Sequence, residues 1–200
     1  NEQLRERANN SDIINADGQS IVWAANLLRC KLPERVSGID LMEALVKRSY
    51  DKGYKCFFFG ATEEVVTKLV NIYKEKYSEL IVADQRNGYY DKSQEENIAN
   101  KIADSGADIL FVAITSPKKE IFLNKYKKQL QNVKFIMGVG GSFDVISGKV
   151  KRAPIWMQNF GLEWFYRFLQ EPGRMWKRYL VGNLKFIYLV IMKKFFGKFL

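Results

Sequence analysis

The chain has 200 residues, enough for one domain, or one domain and an appendage, with a core of its own. Apolar residues make up 47% and charged residues 27%, which excludes disorder, collagen and coiled coil as whole-chain readings. There is no histidine, so Ser-His-Asp and Cys-His catalysis and imidazole metal sites are excluded, and the net charge of +10 points to anionic partners.

Taken in order, the pattern predicts a short strand over Ser11–Ala16, ending at Asp17-Gly18. Helices follow over Ser20–Leu28 and Ile39–Tyr50; the second has an apolar stripe at 41, 42, 45 and 46 and is stopped by Lys52-Gly53. Tyr54–Phe59 reads as a buried strand stopped by Gly60, and Glu63–Tyr77 as a helix with Val65, Val66, Leu69, Val70 and Tyr73 on one face. Leu80–Ala83 reads as a strand, and Ser93–Asp104 as a helix opened by a Ser93/Glu96 capping box. A strand over Ile109–Ile114, a helix over Pro117–Leu130 and a strand over Val133–Met137 complete the run. Continuous apolar strands alternating with helices predict an α/β fold, a Rossmann-like parallel sheet with helices on both faces.

In such a sheet, ligands bind beyond the carboxyl ends of the strands. That rule selects the loops at Asp17–Gln19, Gly60–Thr62, Asp84–Gly88, Thr115–Glu120 and Gly138–Asp144. The loop Gly138-Val139-Gly140-Gly141-Ser142 would let backbone N–H groups approach a phosphate, or it is simply a tight strand-to-helix turn. It is neither a dinucleotide fingerprint, since Phe143 takes the third glycine position, nor a Walker A loop.

The charge is concentrated at the end of the chain. Residues 158–200 hold eight Lys/Arg against Glu163 and Glu171, and 12 of the 28 aromatic residues. This shift divides the chain into an α/β body at 1–157 and a helical basic-aromatic appendage at 158–200. The longest uncharged run near the end, Phe186–Met192, is too short to span a bilayer, which needs about 20 residues. Its Phe, Leu and Lys suit a helix lying at a membrane interface; the alternative is a helix packed on the body with solvated lysines.

Four segments resemble the WecG/TagA/CpsF glycosyltransferases. They are Asp17-Gly18-Gln19-Ser20-Ile21-Val22, Leu32–Leu41 with its Pro33-Glu34-Arg35-Val36, the run Gly138–Pro154, and Gly161–Arg167 followed by Glu171-Pro172 and Arg174. Two departures stand out. The family's N-terminal strand with a Thr-x-Asn element is not found here, so an incomplete N-terminus is expected of a chain that opens at Asn1. Lys119 stands where the family's G-x-P-K-Q-E element has glutamine.

The resemblance implies sugar transfer from a UDP-sugar, typically UDP-N-acetylmannosamine or its uronic acid, to a saccharide on undecaprenyl diphosphate. The products would enter teichoic acid linkage units, capsule or other surface polysaccharide. The expected location is peripheral, on the cytoplasmic face of the bacterial inner membrane. Attack by the acceptor hydroxyl needs a base, and Asp17 matches the family's proposed one; its other reading is a helix N-cap. An inverting single displacement needs no covalent nucleophile. No Asp-x-Asp occurs, so a metal-independent reaction without a cofactor is expected, with arginine forks meeting the diphosphate.

The candidates are Asp17 and Arg35 for catalysis, and Gly60, Thr62, Lys119, Gly138, Gly140, Gly141, Asp144, Arg152, Arg167, Arg174 and Arg178 for substrate binding. Asp144 would accept ribose or uracil hydrogen bonds, or cap the helix after the glycine loop. Tyr89 and Tyr90 would stack on a base, or pack at a loop edge. The expected partners are a UDP-sugar, a polyprenyl-diphosphate-linked acceptor and an anionic membrane surface, with homo-oligomerisation left open. Nucleic acid is disfavoured because the basic residues of the tail alternate with Leu, Ile, Val and Phe. A non-catalytic nucleotide-binding or nucleic-acid-binding α/β protein is the alternative.

Overall fold

The computed structural model describes residues 11–30, 32 and 35–197, and for 174, 175 and 177–180 the backbone only. The chain divides into two compact units, one built from the segment before Asn15 and Gly38–Lys149, the other from Asn15–Ser37 and Val150–Leu200. The boundary expected at 157/158 lies inside the second unit. Residues 15–37, placed by sequence in the body, belong to that unit too.

The first unit is a parallel α/β sandwich. Its elements are α2 (Gly38–Lys52), β1 (Cys56–Gly60), α3 (Glu63–Lys76), β2 (Val82–Arg86), α4 (Glu95–Asp104), β3 (Ile109–Ala113), α5 (Lys118–Lys125), β4 (Phe135–Gly138) and α6 (Ser142–Ile146); α1 (Gln19–Leu27) belongs to the second unit. The strand order is β2-β1-β3-β4, all parallel. Strand side chains alternate between faces, so β1 feeds two cores. Cys56 and Phe58 join Met42, Val66, Leu69 and Phe143 on one side, and Phe57 and Phe59 join Ile98, Ile102 and Phe122 on the other. Phe58 stacks on Phe111 at 5.5 Å and Tyr73 at 5.9 Å, and meets Phe143 edge-on at 6.1 Å. Burial on both faces explains why β1 and β3 read as unbroken apolar runs.

Several expectations are corrected. The strand expected over Ser11–Ala16 does not form; Ile13 and Ile14 are exposed, and Ala16 O instead accepts from Val36 N at 2.9 Å. Asp17 therefore does not follow a strand. β2 runs later than expected because its pairing is set by β1: Phe58 lies opposite Gln85 and Phe59 opposite Arg86. A strand at a sheet edge tolerates those polar residues. The capping box before α4 is formed by Asp91 and Gln94 around a 3₁₀ turn, not by Ser93 and Glu96. The helix expected to run from Pro117 to Leu130 ends at Lys125, and Gln129–Asn132 is a separate 3₁₀ turn.

The second unit is helical. It contains α1, α7 (Ile155–Asn159), α8 (Glu163–Gln170) and α9 (Pro172–Phe196). The chain entering α7 is tied to α8 by a paired amide: Lys151 N donates to Gln170 Oε1 at 2.9 Å, and Gln170 Nε2 donates to Lys151 O at 3.0 Å. Large apolar side chains stay exposed here, among them Trp23, Trp156, Leu184, Phe195 and Phe196. Among the described residues, no helix is long and apolar enough to cross a membrane.

Candidate active site

In the first unit, the sheet order reverses direction at β1, and ligands of such sheets gather beyond the strand carboxyl ends at that point. Gly60 ends β1 there. Its φ is +138°, and a Cβ there would lie 2.4 Å from the Ala113 backbone, so no side chain fits. Ala61 follows with φ +55°, a left-handed conformation that strains a residue with a Cβ. The turn is held by Ala61 N–H to Ala113 O at 3.1 Å and Gly88 N–H to Ala61 O at 2.8 Å. Thr62 is the N-cap of α3, its Oγ1 accepting from Val65 N at 3.4 Å.

Lys119 lies across the end of β4. A Cβ on Gly138 would come within 2.6 Å of Lys119 Nζ, so the two predicted residues share one spot. Lys119 Nζ pairs with Glu120 Oε1 at 3.2 Å. Burial alone would raise the Glu120 carboxyl, but its own backbone N–H and Lys119 hold it below the usual range. Gly140 takes φ +54°, and Ser142 Oγ closes the turn onto Val139 O at 2.7 Å. Gly141 is the N-cap of α6 with an ordinary φ of −88°. Asp144 caps nothing there; it lies 3.7 Å from Lys149 Nζ.

The tyrosines separate. Tyr90 stacks on Phe59 at 5.8 Å, carries Lys118 Nζ 3.5 Å above its ring, and has its phenol pushed up to about 12 by burial. It is packing, as the plainer reading has it. Tyr89 is exposed.

In the second unit, motifs distant in sequence come together. Arg35 Nη2 pairs with Glu163 Oε2 at 2.9 Å, and Arg152 Nε lies 3.8 Å from Glu163 Oε1. Gly161, at φ +70°, leaves the space that Gln19 fills; a Cβ there would lie 2.5 Å from Gln19 Cγ. Thus the Asp17-Gly18-Gln19 segment meets Gly161, and Arg35 and Arg152 meet Glu163. Asp17 is exposed, and the N-cap of α1 is Gly18 with no side-chain capping bond, so the capping role does not account for Asp17. Arg167 pairs along its own helix with Glu171, Nε to Oε2 at 3.9 Å. Arg174 and Arg178 lie on α9, and their side chains fall outside the described ones, as do Pro33, Glu34 and Lys198–Leu200 entirely.

Glu163 is the organising residue that the sequence reading left off the site. Its signal was its place inside the Gly161–Arg167 motif, since an acid can gather guanidinium groups from other segments.

The chain thus holds a parallel α/β unit whose sheet order reverses at β1, and a helical unit in which Arg35 and Arg152 converge on Glu163. Residues 1–199 match the sequence model of the Glycosyl transferase WecG/TagA/CpsF family, and the chain belongs to that family. An N-acetylglucosaminyldiphosphoundecaprenol N-acetyl-beta-D-mannosaminyltransferase of Bacillus spizizenii is 38% identical over 170 residues. The alignment covers 85% of this chain and 65% of that relative, so the chain spans less than two thirds of the relative's length.

Proposed function

We propose that this chain carries the core of an inverting glycosyltransferase. It would move N-acetylmannosamine, or its uronic acid, from a UDP-sugar to a saccharide on undecaprenyl diphosphate, in teichoic acid or surface polysaccharide synthesis. The observation that carries the reading is the convergence of family motifs in the second unit, Arg35 and Arg152 on Glu163 and Gln19 on Gly161. The activity named for the Bacillus spizizenii relative supports the sugar and the lipid-linked acceptor.

In this reading the acceptor hydroxyl oxygen attacks the anomeric carbon, and the bond from that carbon to the β-phosphate oxygen breaks. UDP leaves with the electron pair, and the Asp17 carboxylate takes the hydroxyl proton. One displacement inverts the anomeric centre. Arg35 and Arg152, with Arg167, Arg174 and Arg178, supply positive charge to the leaving diphosphate. The loops at Gly60–Thr62, Lys119 and Gly138–Asp144 hold the nucleotide and sugar. No Asp-x-Asp is present to hold a divalent ion, so the reaction is proposed to need neither metal nor cofactor. The basic, aromatic residues of 158–200 would dock the protein on the cytoplasmic leaflet and help close the site.

The test is transfer of labelled sugar from UDP-N-acetylmannosamine to a synthetic polyprenyl-diphosphate N-acetylglucosamine, with and without EDTA. Product of inverted configuration, undiminished by EDTA, is expected. Loss with EDTA, restored by magnesium or manganese, overturns metal independence. UDP binding without transfer from any UDP-N-acetylhexosamine would favour a non-catalytic nucleotide-binding protein.

A further inference from the structure

The end of α1 is built in an unusual way. It closes as a Schellman motif, with Cys30 N–H donating to Ala25 O at 2.8 Å and Arg29 N–H to Asn26 O at 3.1 Å. The left-handed residue of that motif, at φ +58°, is Arg29. Glycine is the ordinary occupant, because a Cβ is strained there. A long cationic side chain at this position sacrifices stability to place a guanidinium, and such strain gathers at functional sites.

A second cation reaches the same place from the far end of the chain. Lys194 Nζ donates to Leu27 O, in the last turn of α1, at 2.8 Å. Its neighbour Lys193 donates to Gly197 O at 3.3 Å, across the left-handed cap of α9. Leu28, Arg29, Cys30, Lys193 and Lys194 line an open surface depression of about 350 Å³. The two helix C-termini each contribute about half a negative charge, against three full positive charges. Neither residues 18–33 nor residues 172–200 contain Asp or Glu. On the same two helices, Trp23, Leu27, Ile191, Phe195 and Phe196 are exposed.

We propose that Arg29, Lys193 and Lys194 form a binding site for the phosphate of an anionic phospholipid headgroup. The guanidinium offers a two-pronged contact and the ammonium groups close the other sides. The exposed aromatic and aliphatic residues favour lipid over free phosphate, since a bilayer interface would cover them. The site deepens the peripheral-membrane reading above and rests on it.

Cys30 supplies a reporter. It is the exposed cysteine, whereas Cys56 is buried and its thiol is pushed up to about 11 by that burial. Maleimide alkylation of Cys30 should slow on adding phosphatidylglycerol–phosphatidylcholine vesicles, and not with phosphatidylcholine alone. Each charge removed should weaken co-sedimentation with the anionic vesicles about fivefold, and R29Q/K193Q/K194Q together roughly a hundredfold. The charge-matched control K74Q/K127Q/K128Q should bind nearly as the parent does. R29G is the sharpest variant: it should unfold at the same or a higher temperature, because the strain is gone, and still bind vesicles more weakly.

Equal vesicle binding by R29G and the parent would overturn the proposal, as would equal losses in the site and control triples. A site triple that binds like the parent while F195S/F196S loses binding would leave tail docking standing and reject this site. Parental binding by both would reject docking as well. Stabilisation of the parent by millimolar inorganic phosphate, with no vesicle binding, would make it a free-anion site and reject the lipid.

Discussion

Arg35 and Glu163, from opposite ends of the sequence, meet at 2.9 Å, with side chains only 18% and 27% exposed. Glu163 also faces Arg152. A shared, half-buried carboxylate fixes two guanidinium groups that would otherwise repel. Glu163→Gln keeps the shape and removes the charge, so it should destabilise the protein by about 1–2 kcal/mol, less than a fully buried charged hydrogen bond. In a double-mutant cycle with Arg35→Gln the coupling should be at least ~0.5 kcal/mol. Denaturant unfolding of the four proteins measures it, and a coupling of zero would show that the contact carries no energy.

Phe58 tests the sheet. It is wholly buried among Phe111, Tyr73 and Phe143. Truncation leaves a cavity that three rigid rings cannot collapse to fill, so Phe58→Ala should cost about 3–5 kcal/mol. Phe58→Leu should cost clearly less. Equal losses from the two would mean the rings rearrange freely.

These two sites differ in how far the sequence revealed them. β1 and β3 were legible because a strand buried on both faces leaves an unbroken apolar run. β2 was misplaced because an edge strand obeys its partner's register, which the local sequence of Gln85 and Arg86 does not encode. The segment at 11–16 looked like a strand, but its Ile13 and Ile14 found no sheet to join. Gly60, Lys119 and Gly138 are candidates by the rule that ligands gather at strand ends, yet nothing local indicated that Lys119 lies across Gly138. Glu163 escaped notice because its significance comes from Arg35 and Arg152, which reach it only in the folded chain.

Asp108 gives a pH-dependent test. Lys134 Nζ donates to its Oδ1 at 2.7 Å and Lys55 N–H to its Oδ2 at 2.8 Å. The Lys134 hydrogen bond, then the Lys55 amide, hold its carboxyl below the ordinary value. A carboxyl depressed in the folded state stabilises above its unfolded pKa of about 4, and that contribution fades as pH falls through the folded value. The parent should therefore be more stable than Asp108→Asn near neutrality, and the gap should close as the pH is taken below about 4. Urea melts across that range measure it; a gap that persists unchanged into acid would remove Asp108 ionisation as its source.

Asp17 separates chemistry from folding. Its side chain is exposed and makes no capping bond to α1, because Gly18 is the N-cap. Asp17→Asn should therefore leave stability within about 0.5 kcal/mol of the parent, as for a surface residue without structural partners. If Asp17 takes the acceptor proton, the amide cannot, and turnover should fall by about 10²- to 10⁴-fold while KM for the donor changes little. Asp17→Glu should recover part of the loss, since it restores a carboxylate displaced by one methylene. Steady-state transfer at saturating acceptor, set beside thermal unfolding of the same preparations, distinguishes the cases. A fall in turnover of less than about tenfold would remove Asp17 as the base. A matching loss of stability would return it to a structural role at the entrance of α1.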